Sequence, residues 1–253
     1  MSNQKIYFQT FGNSNFYGAL ERINKEAIKF ELFEKIFIYN DKDLKNDDKF
    51  WKEHGNFIEK NSRFYGYAIW KPYLILKSLE KINYGDILLY CDAGCELNYK
   101  GKERFLEYIN IINSNDKSVL CFELKQMEYM WNKMDLIEKL NASSLLDTCQ
   151  ILSGASLFKK TEKSVKLVTD WYNLSCNYNL IDDTPSTLPN HIDFREHRHD
   201  QSLFSLLCKK YETNILQDET YYWPWSDEYK KEYITKPILA SRNSRDVPQI
   251  NFS

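Results

Sequence analysis

Tyr84-Gly-Asp-Ile87-Leu-Leu-Tyr90-Cys-Asp92-Ala-Gly94-Cys-Glu96-Leu-Asn98 is the stretch whose reading decides the fold. Ile87 to Cys91 is a short apolar run with no Gly or Pro inside it. Such a run fits a strand buried on both faces. Gly85 and Asp86 punctuate its start, and Asp92 stands just past its end. That end of a strand is where an open α/β sheet gathers its ligands. Ala93 and Gly94 keep the next two positions small, so a bulky ligand can come close to the backbone. A carboxylate there suits a divalent cation that holds a diphosphate, because Mg²⁺-type ions take one or two carboxylates and fill their shell with phosphates and water. Asp-Ala-Gly is also ordinary turn chemistry, so a solvated turn aspartate remains the alternative.

The pattern around this strand alternates. Residues 5–10 read as a first strand. Residues 16–30 read as a helix with Leu20, Ile23, Ala27 and Phe30 on one stripe, and Ile36 to Tyr39 centre a second strand. Together they make a βαβ unit. A short helix is expected over 49–59, then a Gly-broken aromatic loop over 63–67. Pro72 falls where the first turn of a helix tolerates it, and Leu74, Ile75, Leu79 and Ile82 form the stripe leading back to Ile87. Further on, a helix is expected over 102–112, a strand over 119–124 and a helix over 127–140. Residues 150–158 read as a strand interrupted at Ser153-Gly154, and Thr161 caps a helix running to about 178. Residues 179–197 form a long polar loop, and loops of that length inside a compact domain are usually functional. His199 or Asp200 starts the next apolar helix. From Asn214 on, regular periodicity fades. The fold class is therefore α/β: a Rossmann-like mixed sheet flanked by helices, with an α+β C-terminal elaboration, in one domain.

With 253 residues, 43% of them hydrophobic, the chain can bury a sizeable core. Its 18 Tyr, 15 Phe and 6 Trp suit both a core and platforms for sugars. A net charge of −2 argues against a general nucleic-acid partner. No apolar run approaches the ~20 residues that span a bilayer, and residues 1–9 lack a signal-peptide pattern. The 6 Cys contain no Cys-x-x-Cys pair and read as small core residues of a reducing compartment. A cytoplasmic protein is expected.

Five constellations could carry chemistry. Asp92 stands beside Gly94, with Glu96 near enough in sequence to offer a second carboxylate. Arg63 and Lys71 bracket the aromatic stretch that contains Tyr67, and an Arg fork or a Lys point charge suits a diphosphate. Core aromatics with surface cations would look the same. Ser153-Gly154 breaks a strand, as Gly does where a ligand or a backbone comes close, or at a simple bulge. His197-Arg198-His199-Asp200-Gln201-Ser202 opens an apolar helix, and Asp200 is well placed to cap it. His191, His197 and His199 share a loop, though their spacing matches no standard zinc pattern. Last, Lys236 to Arg245, with Arg242 inside it, is a basic segment suited to close over an anion or to fray in solvent.

In order, these motifs resemble those of nucleotide-sugar-dependent glycosyltransferases of the GT-A fold, of family 8 type and related capsule or lipooligosaccharide enzymes. The likeness runs through residues 67–71, Tyr90-Cys-Asp92-Ala-Gly94, Ser153-Gly-Ala155 and Asp200-Gln201. It implies transfer of a sugar from a nucleotide diphosphate sugar to a glycan or lipid-linked acceptor. It also implies Asp92 on a divalent cation (Mn or Mg) or the ribose, Lys71 near the donor phosphates, and Asp200 and Gln201 as catalytic residues where the sugar reacts. Arg63, Tyr67, Gly94, Ser153, Gly154, His197 and Arg242 would line the substrate. Residues 1–125 would form the nucleotide half and 126–253 the acceptor and lid half. The resemblance also fits a protein peripheral to the inner face of a membrane. One departure stands out: the family's second metal-binding Asp falls on Gly94. Two other classes fit the same residues, a nucleotidyl- or phospho-group transferase and a non-catalytic sugar-binding module.

Overall fold

The computed structural model describes residues 4–221 and 233–248. In chain order the elements are β1 (Ile6–Gly12), α1 (Tyr17–Phe30), β2 (Phe33–Asn40), α2 (Asp41–Lys45), α3 (Asp48–Lys60), α4 (Phe64–Tyr67), α5 (Trp70–Glu80), β3 (Ile87–Cys91), β4 (Glu96–Leu97) and α6 (Lys102–Asn113). They continue with β5 (Val119–Met127), α7 (Glu128–Trp131), α8 (Met134–Lys139), β6 (Cys149–Ile151), β7 (Ala155–Lys159), α9 (Glu162–Ser175), α10 (Asp200–Lys210), β8 (Asn214–Gln217) and β9 (Ile238–Leu239).

The main sheet is mixed. β1 pairs in parallel with β2 and β3, β7 joins β3 antiparallel, and β5 follows antiparallel to β7. β5 also holds β6 antiparallel and β8 in parallel. β3 is therefore central, as its unbroken apolar run requires. Ile87, Leu89 and Cys91 face a core made with Ile23, Ala27 and Phe30 of α1 and Phe105 and Ile112 of α6. Leu88 and Tyr90 face the opposite core, with Ile75 and Leu79 of α5, Val168 and Trp171 of α9, and Phe204 and Leu206 of α10. This alternation is the two-residue period of a strand. Full burial of one such Leu contributes about 1.5–3 kcal/mol.

Three stretches differ from the sequence expectation. The helix expected over 127–140 is two short helices, because Asn132 turns extended and its side chain bonds back to the Glu128 carbonyl at 2.9 Å. The helix after Thr161 ends at Ser175, and the weakly patterned C-terminal part still supplies β8 and β9. A loop is expected over 63–67; residues 64–68 instead form one turn of left-handed helix. Phe64, Tyr65, Gly66, Tyr67 and Ala68 have φ of 48°, 54°, 78°, 53° and 61°. The Tyr67 and Ala68 amides donate four residues back, to Arg63 and Phe64, at 2.8 and 3.1 Å. That handedness costs roughly 1–2 kcal/mol for each residue with a Cβ. Gly66 could carry no side chain in any case, since a Cβ would meet Ile58 Cγ1 at 2.6 Å. The surroundings hold the turn: the Trp70 indole donates to the Phe64 carbonyl at 3.3 Å, and the Tyr67 ring lies 4.7 Å from that of His199.

Candidate active site

The alternation of β3 puts Tyr90 and Asp92 on the face covered by α5 and α10. The Tyr90 hydroxyl donates to Asp92 Oδ1 at 2.6 Å, and burial, with Asp92 beside it, pushes that phenol well above its ordinary pKa. Tyr90 therefore stays protonated and acts as a fixed donor. The interruption between β6 and β7 is what admits Asp92. The Asp92 amide donates to the Gly154 carbonyl at 2.8 Å, and a Cβ on Gly154 would lie 3.0 Å from Asp92 Oδ2.

Lys71, the second residue of α5, reaches this point from beneath. Its Nζ lies 3.1 Å from Asp92 Oδ1 and 2.7 Å from Asp200 Oδ2. Ser153 Oγ donates to the same Asp200 oxygen at 2.8 Å. Burial alone would depress the Lys71 ammonium, but Asp200 and then Asp92 outweigh it and raise its pKa above the usual lysine value. The cluster is layered: the Lys71 and Asp200 side chains are 4% and 10% exposed, and that of Asp92 is 44% exposed. Asp92 thus presents a carboxylate to solvent over a sealed ammonium.

Asp200 does not cap its helix. It is the first residue of α10, and the cap position is held by His199 at φ 53°, without a side-chain cap bond. His199 Nδ1 donates to the Ile181 carbonyl at 2.9 Å, and its ring packs against Tyr67 and Phe64. Two left-handed segments, 64–68 and His199, thus touch each other just before the residues that meet as Lys71 and Asp200.

Of the residues singled out in the sequence, Lys71, Asp92, Ser153, Gly154 and Asp200 come together. Gln201 does not join them through a side-chain bond. Its amide donates to Gln150 at 2.9 Å, and Gln150 donates to buried Glu128 at 3.1 Å, which also binds Ser205, Lys209 and Asn132. Arg63 is partly exposed and pairs with Asp183 and Glu196 at 3.2 and 3.1 Å. Tyr67 is buried as the support of His199. His197 is buried, accepting from the Lys133 amide at 3.3 Å and donating to the Leu180 carbonyl at 2.9 Å. Burial lowers its pKa to about 3, with His199 adding in the same direction. His191 is partly exposed against Tyr129, so the three histidines do not converge on a metal.

The loop after Asp92 is fastened by the C-terminal segment. The Gly94 carbonyl accepts from the Asn243 amide at 2.8 Å and from Ser241 Oγ at 3.2 Å, and β9 pairs with β4. Arg22, on the buried side of α1, locks the arrangement. Its guanidinium donates to the carbonyls of Ala93, Cys95, Asn243 and Arg245 at 2.9–3.1 Å and to Glu26 at 2.9 Å. Sequence reading missed Arg22 and Tyr90. A charged residue between Leu20 and Ile23 of the apolar stripe was the signal for the first, and strand alternation for the second.

A divalent cation fits these residues poorly. Asp92 Oδ1 is held by Tyr90 and Lys71, and Asp200 Oδ2 by Lys71 and Ser153. The second acid position is Gly94, where a Cβ would already touch the Arg242 backbone at 3.4 Å. Glu96 is turned to Asn243 at 2.7 Å and Ser241 at 3.2 Å. An ion on Asp92 would sit beside a permanent ammonium. Among the described residues, the His/Cys/Asp/Glu group compact enough for a metal is Glu53, His54 and Cys176. There both His54 nitrogens already face the Tyr172 and Tyr178 hydroxyls, at 2.9 and 3.0 Å.

No protein-family model matches the chain, and no curated protein does. Solved structures do. The bifunctional glycosyltransferase WbbM, apo form, aligns with TM-score 0.50 and 9% identity over 94% of this chain and 45% of its own. Mouse xyloside xylosyltransferase 1, apo form, aligns with TM-score 0.48 and 12% identity over 94% of this chain and 98% of its own. The galactosyltransferase LgtC, in complex with donor and acceptor sugar analogues, aligns with TM-score 0.45 and 10% identity over 92% and 86%. The mixed sheet flanked by helices is therefore a GT-A-like fold, the one that the order of motifs implied.

Proposed function

We propose that the chain is a glycosyltransferase that moves a sugar from a nucleotide diphosphate sugar to a glycan or lipid-linked acceptor. The observation that carries this reading is the ammonium of Lys71 fixed between Asp92 and Asp200 at the carboxyl end of the central strand. A fold hosts many chemistries, so the site has to carry the argument. Here it offers an exposed carboxylate, a second carboxylate oriented by two donors, and backbone kept bare at Gly154. In the reaction the bond from the anomeric carbon to the diphosphate oxygen breaks, and its electron pair leaves with the diphosphate. An acceptor hydroxyl makes the new bond and gives up its proton to solvent or to a carboxylate. Asp92 and Asp200 are suited to orient the sugar and to stabilise positive charge on its ring. Lys71 and Asp92 come from residues 1–125 and Ser153 and Asp200 from 126–253, which supports a donor half and an acceptor half meeting at this point.

The names of the similar structures support a sugar donor and a sugar acceptor, and surface-glycan synthesis is the setting we assign. Among the described residues no helix is long and apolar enough to cross a membrane. A cytoplasmic place, peripheral to the membrane, belongs to the same proposal. The test is a thermal-shift screen of nucleoside diphosphates and nucleotide sugars, followed by product analysis of the ligand that raises the melting temperature. Release of nucleoside diphosphate with acceptor present supports the reading. Release of pyrophosphate would assign the site to nucleotidyl transfer, and binding without turnover to a sugar-binding module.

A further inference from the structure

Two arginines arrive on backbone that borders the Lys71 cluster. Arg198 stands two residues before Asp200, with its guanidinium 4.0 Å from the Trp131 ring centroid. It is 3.4 Å from Glu196, which also binds Arg63 at 3.1 Å. Arg242 arrives with the segment fastened to Gly94, its backbone against that glycine and its φ at 55°. Burial lowers the Arg198 pKa, Glu196 works against this, and Arg242 and Arg63 add to the lowering. Glu196 is shared by Arg63 and Arg198, and like charges that share an acid are unfavourable on their own. A bound anion would relieve them, and an Arg fork matches a phosphate bidentately.

We infer that the site works without a divalent cation: Lys71 already holds oxygens of the two carboxylates, Asp92 and Asp200, and Arg198 and Arg242 neutralise the diphosphate that leaves. This rests on the glycosyltransferase reading above. When the glycosidic bond to the diphosphate breaks, the oxygen that keeps the electron pair gains one negative charge. The two guanidiniums meet that charge directly, so no metal bridge is needed. Lys71 cannot do this alone, because its charge is already shared between Asp200 and Asp92.

The experiment uses the whole chain and isothermal titration calorimetry with UDP, GDP, ADP, CDP, dTDP and inorganic pyrophosphate, each in EDTA and in Mn²⁺. Sugar transfer from the corresponding nucleotide sugars is followed in the same two buffers. The expected result is a diphosphate whose Kd changes less than about threefold between buffers, with transfer retained in EDTA. Arg198→Gln and Arg242→Gln should each weaken that diphosphate about tenfold or more, the loss of a charge-assisted hydrogen bond, with circular dichroism unchanged. Binding or transfer seen in Mn²⁺ and lost in EDTA overturns the inference and leaves the glycosyltransferase reading standing. Diphosphate bound in EDTA, with no transfer from any sugar nucleotide, sinks that reading and supports the anion site. No diphosphate bound in either buffer overturns both. The EDTA comparison on the unmodified chain decides the question even if a variant fails to fold.

Discussion

The Lys71 ammonium lies 2.7 Å from the Asp200 carboxylate, and the two residues come from the first turns of different helices, α5 and α10. Removing the cation leaves a nearly buried carboxylate without a partner. Lys71→Ala should therefore cost about 3–5 kcal/mol of stability, measured by urea unfolding. A loss under about 1 kcal/mol would mean that water reaches Asp200 and that the cluster is not sealed.

Asp92 and Gln201 should separate cleanly. Asp92 is half exposed, so Asp92→Asn should leave circular dichroism near wild type while product formation falls at least ~100-fold, as for loss of one electrostatic stabiliser. Gln201 is bonded to Gln150, so Gln201→Ala should cost about 1 kcal/mol and keep most of the turnover. Equal losses of turnover in the two variants would return Gln201 to the reacting centre.

Acid should destabilise the fold through His197. Its folded pKa is about 3 against an ordinary 6.5, and burial is the chief cause. Below pH 6.5 the unfolded chain takes up a proton that the folded chain refuses. The stabilisation is therefore complete above pH 6.5 and lost progressively as pH falls toward 3. At pH 5 this amounts to about 2 kcal/mol. Burial also lowers His54 and His199, which act in the same sense. Urea midpoints at pH 7 and pH 5 measure the total slope, and His197→Gln should flatten it; an unchanged slope would place the proton uptake elsewhere.

Arg22→Met should free the C-terminal segment. The change leaves four carbonyls without the guanidinium and Glu26 with the Leu97 amide at 2.8 Å but no cation, at a cost of about 3–5 kcal/mol. Amide exchange should rise at Asn243, whose N–H now bonds the Gly94 carbonyl. Protection there equal to wild type would show that β9 alone holds the segment.

Much of this was legible from residues. Ile87 to Cys91 announced a two-sided strand, and the break at Ser153-Gly154 marked a close approach or a bulge, which the structure resolves as the gap that admits Asp92. Both signals are local, because burial on two faces and loss of a side chain act at the position itself. The left-handed turn was not legible, since only Gly66 in it favours positive φ and four neighbours adopt it against their own preference. Arg22 was hidden for a related reason: its acceptors are backbone carbonyls, and carbonyls leave no mark on residue identity. Asp200 read equally well as a cap; the helix begins at Asp200 itself with His199 in the cap position, and the carboxylate meets Lys71.

The left-handed turn at 64–68 also bears on the order in which the molecule assembles. Within those five residues only Gly66 favours the conformation, so the turn exists only once Ile58, Trp70 and His199 have closed around it. It should therefore be absent from the rate-limiting barrier of folding. Tyr67→Ala, which strips away the ring contact with His199, should accelerate unfolding while leaving the refolding rate nearly unchanged, the signature of contacts formed after the transition state. The segment that leads into Lys71 would then be among the last to lock, and the chain would acquire its shape before it acquires its site.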